Sequence, residues 1–274
     1  MDNSVSQVLS KTKRSRQKPK SMLNGAITIL IAINVMAIIL VILSLFIKTS
    51  PAAIQSMITS FKVKSAISIS VCSIILSLGI VMLLGTPIAY GLSQKKGGFY
   101  ALIEGVFSIP IVLPPSVTGL ALLMTYGRRG LIGTWLNELG VTLPFSFIAI
   151  VIVQVFVTMP YYIQIVKNGF ANVDKSIAEA ARTFGASELE VLLLIYMPMT
   201  FKAMLSALIL CAFRAAGEFG ATIMFAGNLE GKTQTITTRI YTLYQMDLTQ
   251  SVSLAVVQIV VFILPLLFLK IKLD

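Results

Sequence analysis

The chain has 274 residues, 56% of them apolar and 12% charged, with a mean hydropathy of +0.89. Soluble domains are about 45–50% apolar and about 25% charged, so a soluble enzyme and a disordered chain are both excluded and a polytopic membrane protein is indicated. The net charge of +11, from 22 Lys and Arg against 11 Asp and Glu, would suggest nucleic acid in a soluble protein; here it must be placed relative to the bilayer.

Residues 1–24 form a basic tail with Lys11, Lys13, Arg14, Arg16, Lys18 and Lys20. The tail reads as disordered and close to anionic headgroups. A span needs about 20 mostly apolar residues, and six such runs follow over residues 25–47, 66–92, 105–126, 145–166, 203–226 and 252–269. The first exceeds the about 7–15 apolar residues of a signal peptide and no small-residue cleavage site follows it, so it reads as a retained helix.

Six spans put both termini on one side, and the basic tail makes that side cytoplasmic. The orientation can be checked against the loops. Cytoplasmic segments then hold the six tail residues with Lys95, Lys96, Lys167, Lys175, Arg182, Lys202, Lys270 and Lys272, fourteen basic residues. External loops hold seven: Lys48, Lys62, Lys64, Arg128, Arg129, Lys232 and Arg239. The two-to-one bias agrees with the six-span arrangement.

Within the third run, Pro110, Pro114 and Pro115 fall close together. Each removes a backbone donor and disfavours helix before it. Such a break at membrane depth is tolerated where it packs in protein or lines a cavity. Two readings stay open: a pathway or gate element, or a kink that improves packing.

The stretch 167–202 is long for a connector and reads as two short helices. Asp174 or Ser176 can cap the first, and Ser176 with Glu179 has capping-box spacing. Ile177, Ala180, Ala181 and Phe184 make an apolar stripe, and Gly185 supplies a left-handed stop. Ser187 with Glu190 repeats the capping box for a second helix, which Pro198 limits.

Glu179-Ala180-Ala181, then Gly185, Ile195 and Met197-Pro198, resembles the EAA loop of ABC importer permeases. Met197 stands where that pattern has Leu, a volume-conserving exchange. The resemblance implies a coupling helix that sits in a groove of a cytoplasmic ATPase, with Ala180, Ala181 and Gly185 permitting close approach. Glu179 either pairs with a basic residue of that partner or only caps its own helix.

Two further segments resemble molybdate/tungstate permeases, with sulfate/thiosulfate permeases as nearest relatives. They are Gly127-Arg128-Arg129-Gly130-Leu131-Ile132-Gly133 and Arg214-Ala215-Ala216-Gly217-Glu218-Phe219-Gly220-Ala221-Thr222, the latter continuing to Tyr241. The likeness covers roughly residues 60–270; the tail and first helix lie outside its strongest part. It implies an all-α integral membrane protein with six transmembrane helices and the type I-like ABC importer permease fold over residues 25–274. It also implies a homodimer with two ATPase chains and an extracytoplasmic oxyanion-binding protein in the cytoplasmic membrane.

Arg214 and Glu218 lie four apart in what reads as an apolar helix. Intramembrane charges face the bundle or a cavity, so this is either a structural pair or a positive element of an oxyanion path with a gate contact. Arg128 and Arg129 are either an external funnel and docking point or interfacial anchors.

Gly227-Asn228-Leu229-Glu230-Gly231-Lys232-Thr233 has one residue too few between its glycines for a phosphate loop. The chain is therefore expected to bind no nucleotide, no cofactor and no nucleic acid, with ATP used by the partner ATPase. Two rivals come from other classes. A gradient-driven secondary transporter predicts ionisable relays along several spans, where Arg214 and Glu218 are nearly the only ones. A membrane enzyme lacks a catalytic constellation: there is no histidine, and Cys72 and Cys211 sit in separate apolar runs as small hydrophobes.

Overall fold

The computed structural model describes residues 18–95 and 97–273. The tail assigned to 1–24 thus lies largely outside the described residues. The chain divides into two units at Ser50 and Pro51. The first contains helix α1, Lys18–Ile47. From Ile27 to Leu43 its large apolar side chains are exposed around the whole circumference, Leu30 and Leu40 among them, the pattern of a helix whose solvent is lipid.

The second unit is a helical bundle. It comprises α2 (Pro51–Thr59), α3 (Phe61–Gln94), α4 (Gly98–Val112), α5 (Pro115–Tyr126), α6 (Gly133–Glu138), α7 (Phe147–Ala171) and α8 (Lys175–Thr183). After these come α9 (Glu188–Met199), α10 (Phe201–Ala216), α11 (Gly220–Phe225), α12 (Ile236–Tyr244) and α13 (Leu248–Lys272). Short π-helical stretches, Leu192–Tyr196 and Ile259–Ile263, interrupt α9 and α13.

Among the described residues four helices are long and apolar enough to cross a membrane, and two bent pairs raise the number to six if each pair forms one span. α4 and α5 meet at 113°, α9 and α10 at 78°. The third predicted run is therefore a broken element, as its prolines require. Leu113 and Pro114 are extended, with ψ 130 and 139, because each precedes a proline, whose ring disfavours helix in the residue before it. Pro115 then opens α5 at its first turn, where the missing N–H costs nothing.

α3 and α7 form the central pair. The buried face of α3 repeats small residues at helical spacing: Ser70, Ser73, Ser77, Gly85 and Ala89. Lipid gives no hydrophobic drive for helices to associate, so close approach of small residues supplies the attraction. A side chain on Gly85 would lie 2.7 Å from Tyr162 Cδ1, and Tyr162 shares a 2.8 Å hydroxyl hydrogen bond with Thr86.

Three apolar clusters fill the bundle. One joins α3 and α7 to α8, α9 and α10 around Tyr162, Phe170 and Tyr196. Another joins the start of α3 to the end of α10, α12 and α13. The third holds Leu122, Ile150, Val153 and Phe225 where α5, α7 and α11 meet.

Candidate functional site

Two places gather the residues that the sequence singles out. One is the α8–α9 hairpin. Asp174, not Ser176, is the N-cap of α8: its carboxylate accepts from Ser176 N–H at 2.9 Å. Ser176 already lies inside the helix, so the Ser176/Glu179 capping box does not form. Those hydrogen bonds hold the Asp174 carboxyl below its ordinary value.

The stripe on α8 is split by the fold. Ala178 is fully buried and Ala181 packs against the same cluster, whereas Ile177, Glu179 and Ala180 are exposed. Phe184, at the helix end, is 92% exposed. The small side chains hold α8 to the bundle and the larger apolar ones face away.

Gly185 has φ 91°, and a side chain there would meet nothing within 4 Å. Its glycine is required by the left-handed turn rather than by internal packing. The second capping box is present: Ser187 Oγ accepts from Glu190 N–H, and the Glu190 carboxylate accepts from Ser187 N–H at 2.8 Å. α9 runs through a π-turn and past Pro198 to Met199, ending at Thr200. Ile195 packs into the cluster while Pro198 is exposed.

Three residues that no sequence spacing links complete the hairpin. Arg182 donates to Glu188 from Nε at 2.6 Å and from Nη2 at 3.1 Å, clasping it across the Gly185 turn. Tyr90 of α3 donates its hydroxyl to Glu188 Oε2 at 2.6 Å and accepts from Arg182 Nη2 at 3.1 Å. The Tyr90 ring stands edge-on to Phe170 and Tyr196, with centroids 6.1 and 5.1 Å away. Arg182 and Glu188 lie six positions apart across a turn, and Tyr90 is about ninety positions from both; only the fold reveals the group.

The other place is a double break in the bundle. α10 ends at Ala216 and α11 begins at Gly220, so Glu218 lies between two helices rather than inside one. The fifth predicted run is therefore interrupted after Ala216. Glu218 is 3% exposed. Its carboxylate accepts from Arg214 Nη1 at 2.5 Å and from Ala221 N–H at 2.9 Å, pairing the charge and capping the first turn of α11. Its carbonyl accepts from the Thr237 hydroxyl at 2.9 Å. Gln258 of α13 donates to Ala216 O at 2.9 Å, satisfying an orphan carbonyl at the end of α10.

The two breaks touch. A side chain on Gly220 would stand 2.7 Å from Pro115 Cβ, and one on Gly119 would stand 2.8 Å from Ala221 O. The structure thus packs the start of α5, at Pro115, against Gly220 at the start of α11, two positions after Glu218. Pro110 sits in the other arm, inside α4.

A cavity of about 240 Å³ opens between α4 and α7, lined in part by Glu104, Ser108, Gln164, Lys167 and Asn168. Lys167 pairs with Glu104 at 2.7 Å, and Gln164 donates to Ser108 at 3.1 Å. The sequence reading missed this polar patch because Lys167 falls at the edge of its predicted span.

Arg128 and Arg129 are exposed on a tight turn after α5, where Gly130 N–H donates to Gly127 O at 2.7 Å. A side chain on Gly133 would stand 1.7 Å from Gly127 O, so glycine spacing fixes the turn that displays the arginine pair. The phosphate-loop look-alike at 227–233 folds into its own turn: Thr233 Oγ1 accepts from Leu229 N–H at 3.0 Å, while Leu229 O accepts from residues 232, 233 and 234.

Residues 81–271 match the family described as binding-protein-dependent transport system inner membrane component. The chain is 36% identical over 216 residues to the "Probable transport system permease protein NifC" of Clostridium pasteurianum, covering 78% of this chain and 75% of that protein. It is 33% identical over 206 residues to the molybdenum transport system permease protein ModB of Mycobacterium tuberculosis, covering 75% and 78%. In fold it is similar to a chain of a bacterial alginate ABC transporter solved with its pentasaccharide-bound periplasmic protein, with TM-score 0.74 at 13% identity, covering 92% and 93%. The chain belongs to the inner-membrane permease family of binding-protein-dependent ABC importers, as a multi-pass membrane subunit that works with an ATPase and a substrate-binding protein.

Proposed function

We propose that this chain carries molybdate or tungstate across the cytoplasmic membrane, as a homodimer with two ATPase chains and an extracytoplasmic oxyanion-binding protein. The observation that carries the coupling is the outward apolar face of α8, with Phe184 92% exposed on a capped helix. An ATPase groove covers that face, with Ala180 admitting close approach and Glu179 available to a basic partner residue. Relatives named as molybdenum permeases at 33–39% identity support the substrate.

Both termini are cytoplasmic in this reading, and so is the hairpin. Closure of the ATPase pair pushes on both hairpins, and the bundles swing from inward-facing to outward-facing. The anion then passes between the subunits. The breaks that meet at Pro115 and Gly220 supply the bending point, and the Arg214–Glu218 pair braces the second of them as a structural pair. Arg128 and Arg129 on the opposite face attract a dianion or its binding protein. The chain itself holds neither nucleotide nor cofactor; ATP is hydrolysed by its partners.

Elemental analysis of cells with and without the gene, under trace supply, tests the substrate. Loss of molybdenum or tungsten accumulation alone supports the reading. Loss of sulfur uptake moves the substrate to sulfate or thiosulfate. No change in any of the three, with the protein expressed, overturns the substrate.

A further inference from the structure

We infer that Tyr90, Arg182 and Glu188 form an interlock that makes the α8–α9 hairpin and the long helix α3 move as one piece. The inference rests on the coupling reading above.

α8 has nine residues, too few to be a stable lever by itself. Its apolar anchorage to the bundle comes from small side chains, Ala178 and Ala181, with Ala186 beyond the turn. Its larger apolar residues face away. A partner pushing on Ile177, Ala180 and Phe184 would tilt such a helix on its alanines unless something resisted the tilt.

The interlock resists it. Four hydrogen bonds of 2.6–3.1 Å join Arg182 at the end of α8, Glu188 at the start of α9 and Tyr90 near the end of α3. The guanidinium is planar and its donors are fixed in a fork, so the clasp on Glu188 sets an orientation as well as a distance. The Tyr90 hydroxyl is held by a ring wedged against Phe170 of α7 and Tyr196 of α9, and the Tyr196 hydroxyl reaches Gln94 of α3 at 3.4 Å. Displacement of the hairpin therefore reaches α3 through a rigid aromatic group.

The side chains of Arg182 and Glu188 are 33% and 64% exposed, and such a pair contributes little stability. If packing were its purpose, phenylalanine at position 90 would serve as well. The hydroxyl sits where only coupling between segments uses it. Tyr90, Arg182 and Glu188 are thus positioning residues for transport.

The test uses the assembled transporter, with its ATPase chains, in liposomes. Tyr90→Phe keeps the ring stack and removes the interlock hydroxyl; Glu188→Ala removes the carboxylate. Both variants are expected to retain the ATPase and hydrolyse ATP near the wild-type rate. Molybdate uptake per ATP should fall about fivefold, the population shift given by loss of a charge-assisted hydrogen bond at an exposed site.

A substrate-independent readout is the distance between spin labels at Ser176 and Ser93. It should stay constant between nucleotide-free and ATP-bound states in the wild type and change in Tyr90→Phe. Unchanged uptake per ATP and an unchanged label distance in both variants, with the ATPase bound, overturn the interlock and leave the coupling reading standing. Parallel loss of ATPase binding, hydrolysis and uptake in Tyr90→Phe also overturns it, because that is a merely structural role. Phe184→Glu separates the other case: if it keeps full ATPase binding and uptake, the coupling reading itself fails.

Discussion

Gly185 and Glu218 show how differently single residues act in this chain. Gly185 is surrounded by open space but its backbone is left-handed, with φ 91°. Gly185→Val is expected to cost about 1–2 kcal/mol through strain alone and to misdirect Phe184. Both effects are readable as a lower thermal midpoint in detergent and weaker ATPase co-purification. Glu218 is buried and paired, so Glu218→Gln leaves the Arg214 charge uncompensated. The expected loss is about 2–3 kcal/mol, discounted because Arg214 remains partly exposed; Arg214→Gln combined with it should recover part of that stability.

Asp174 gives a pH dependence. Its carboxyl is held below the ordinary value by the Ser176 N–H. Its support of α8 is therefore complete above the unfolded carboxylate value and lost as pH falls through the lower folded one. Hydrogen exchange of residues 175–183 should quicken over that acidic window, and Asp174→Asn should flatten the response. The Ser187/Glu190 box, the Gly185 turn and a cap at Asp174 were legible because each depends on neighbours within a few positions. Tyr90 was not, because its partners are about ninety residues away.

At the scale of elements, the breaks matter more than the spans. The prolines announced one break, which falls at Leu113 and Pro114 as a 113° turn, while Pro110 stays inside α4. The break at Gly217–Phe219 was hidden by an apolar run that continues on both sides of it. Apolarity reports burial or lipid contact and is blind to backbone direction. The two breaks are joined by glycine contacts, so a large residue at Gly119 must force α5 off the backbone of α11. Gly119→Leu should lose about 2–3 kcal/mol by overpacking, with uptake falling further than ATPase binding. Equal loss of both would show that the contact serves packing alone. The stripe on α8 carries a related lesson: of Ile177, Ala180, Ala181 and Phe184 only Ala181 packs on the bundle, and the residue that anchors the helix is Ala178, which the stripe did not include.

For the whole molecule, the basic residues set an orientation that labelling can check. In a background lacking Cys72 and Cys211, a cysteine at Lys232 should react with a membrane-impermeant thiol reagent in intact cells. One at Lys175 should react only after permeabilisation. The reverse pattern would invert the topology and remove the hairpin from the reach of a cytoplasmic ATPase.

The sequence by itself determined the solvent of the chain, four long apolar helices near its first, second, fourth and sixth runs, the proline break and the hairpin with its glycine turn. Those follow from composition, hydrophobic run length and local backbone chemistry. Tertiary structure alone decided which face of α8 is free, that the two breaks meet at Pro115 and Gly220, and that Tyr90 grips the hairpin. These are relations between distant segments. Helices in lipid choose their neighbours by close packing of small residues and by paired polar groups, and such matching is a property of two surfaces together that neither segment carries alone.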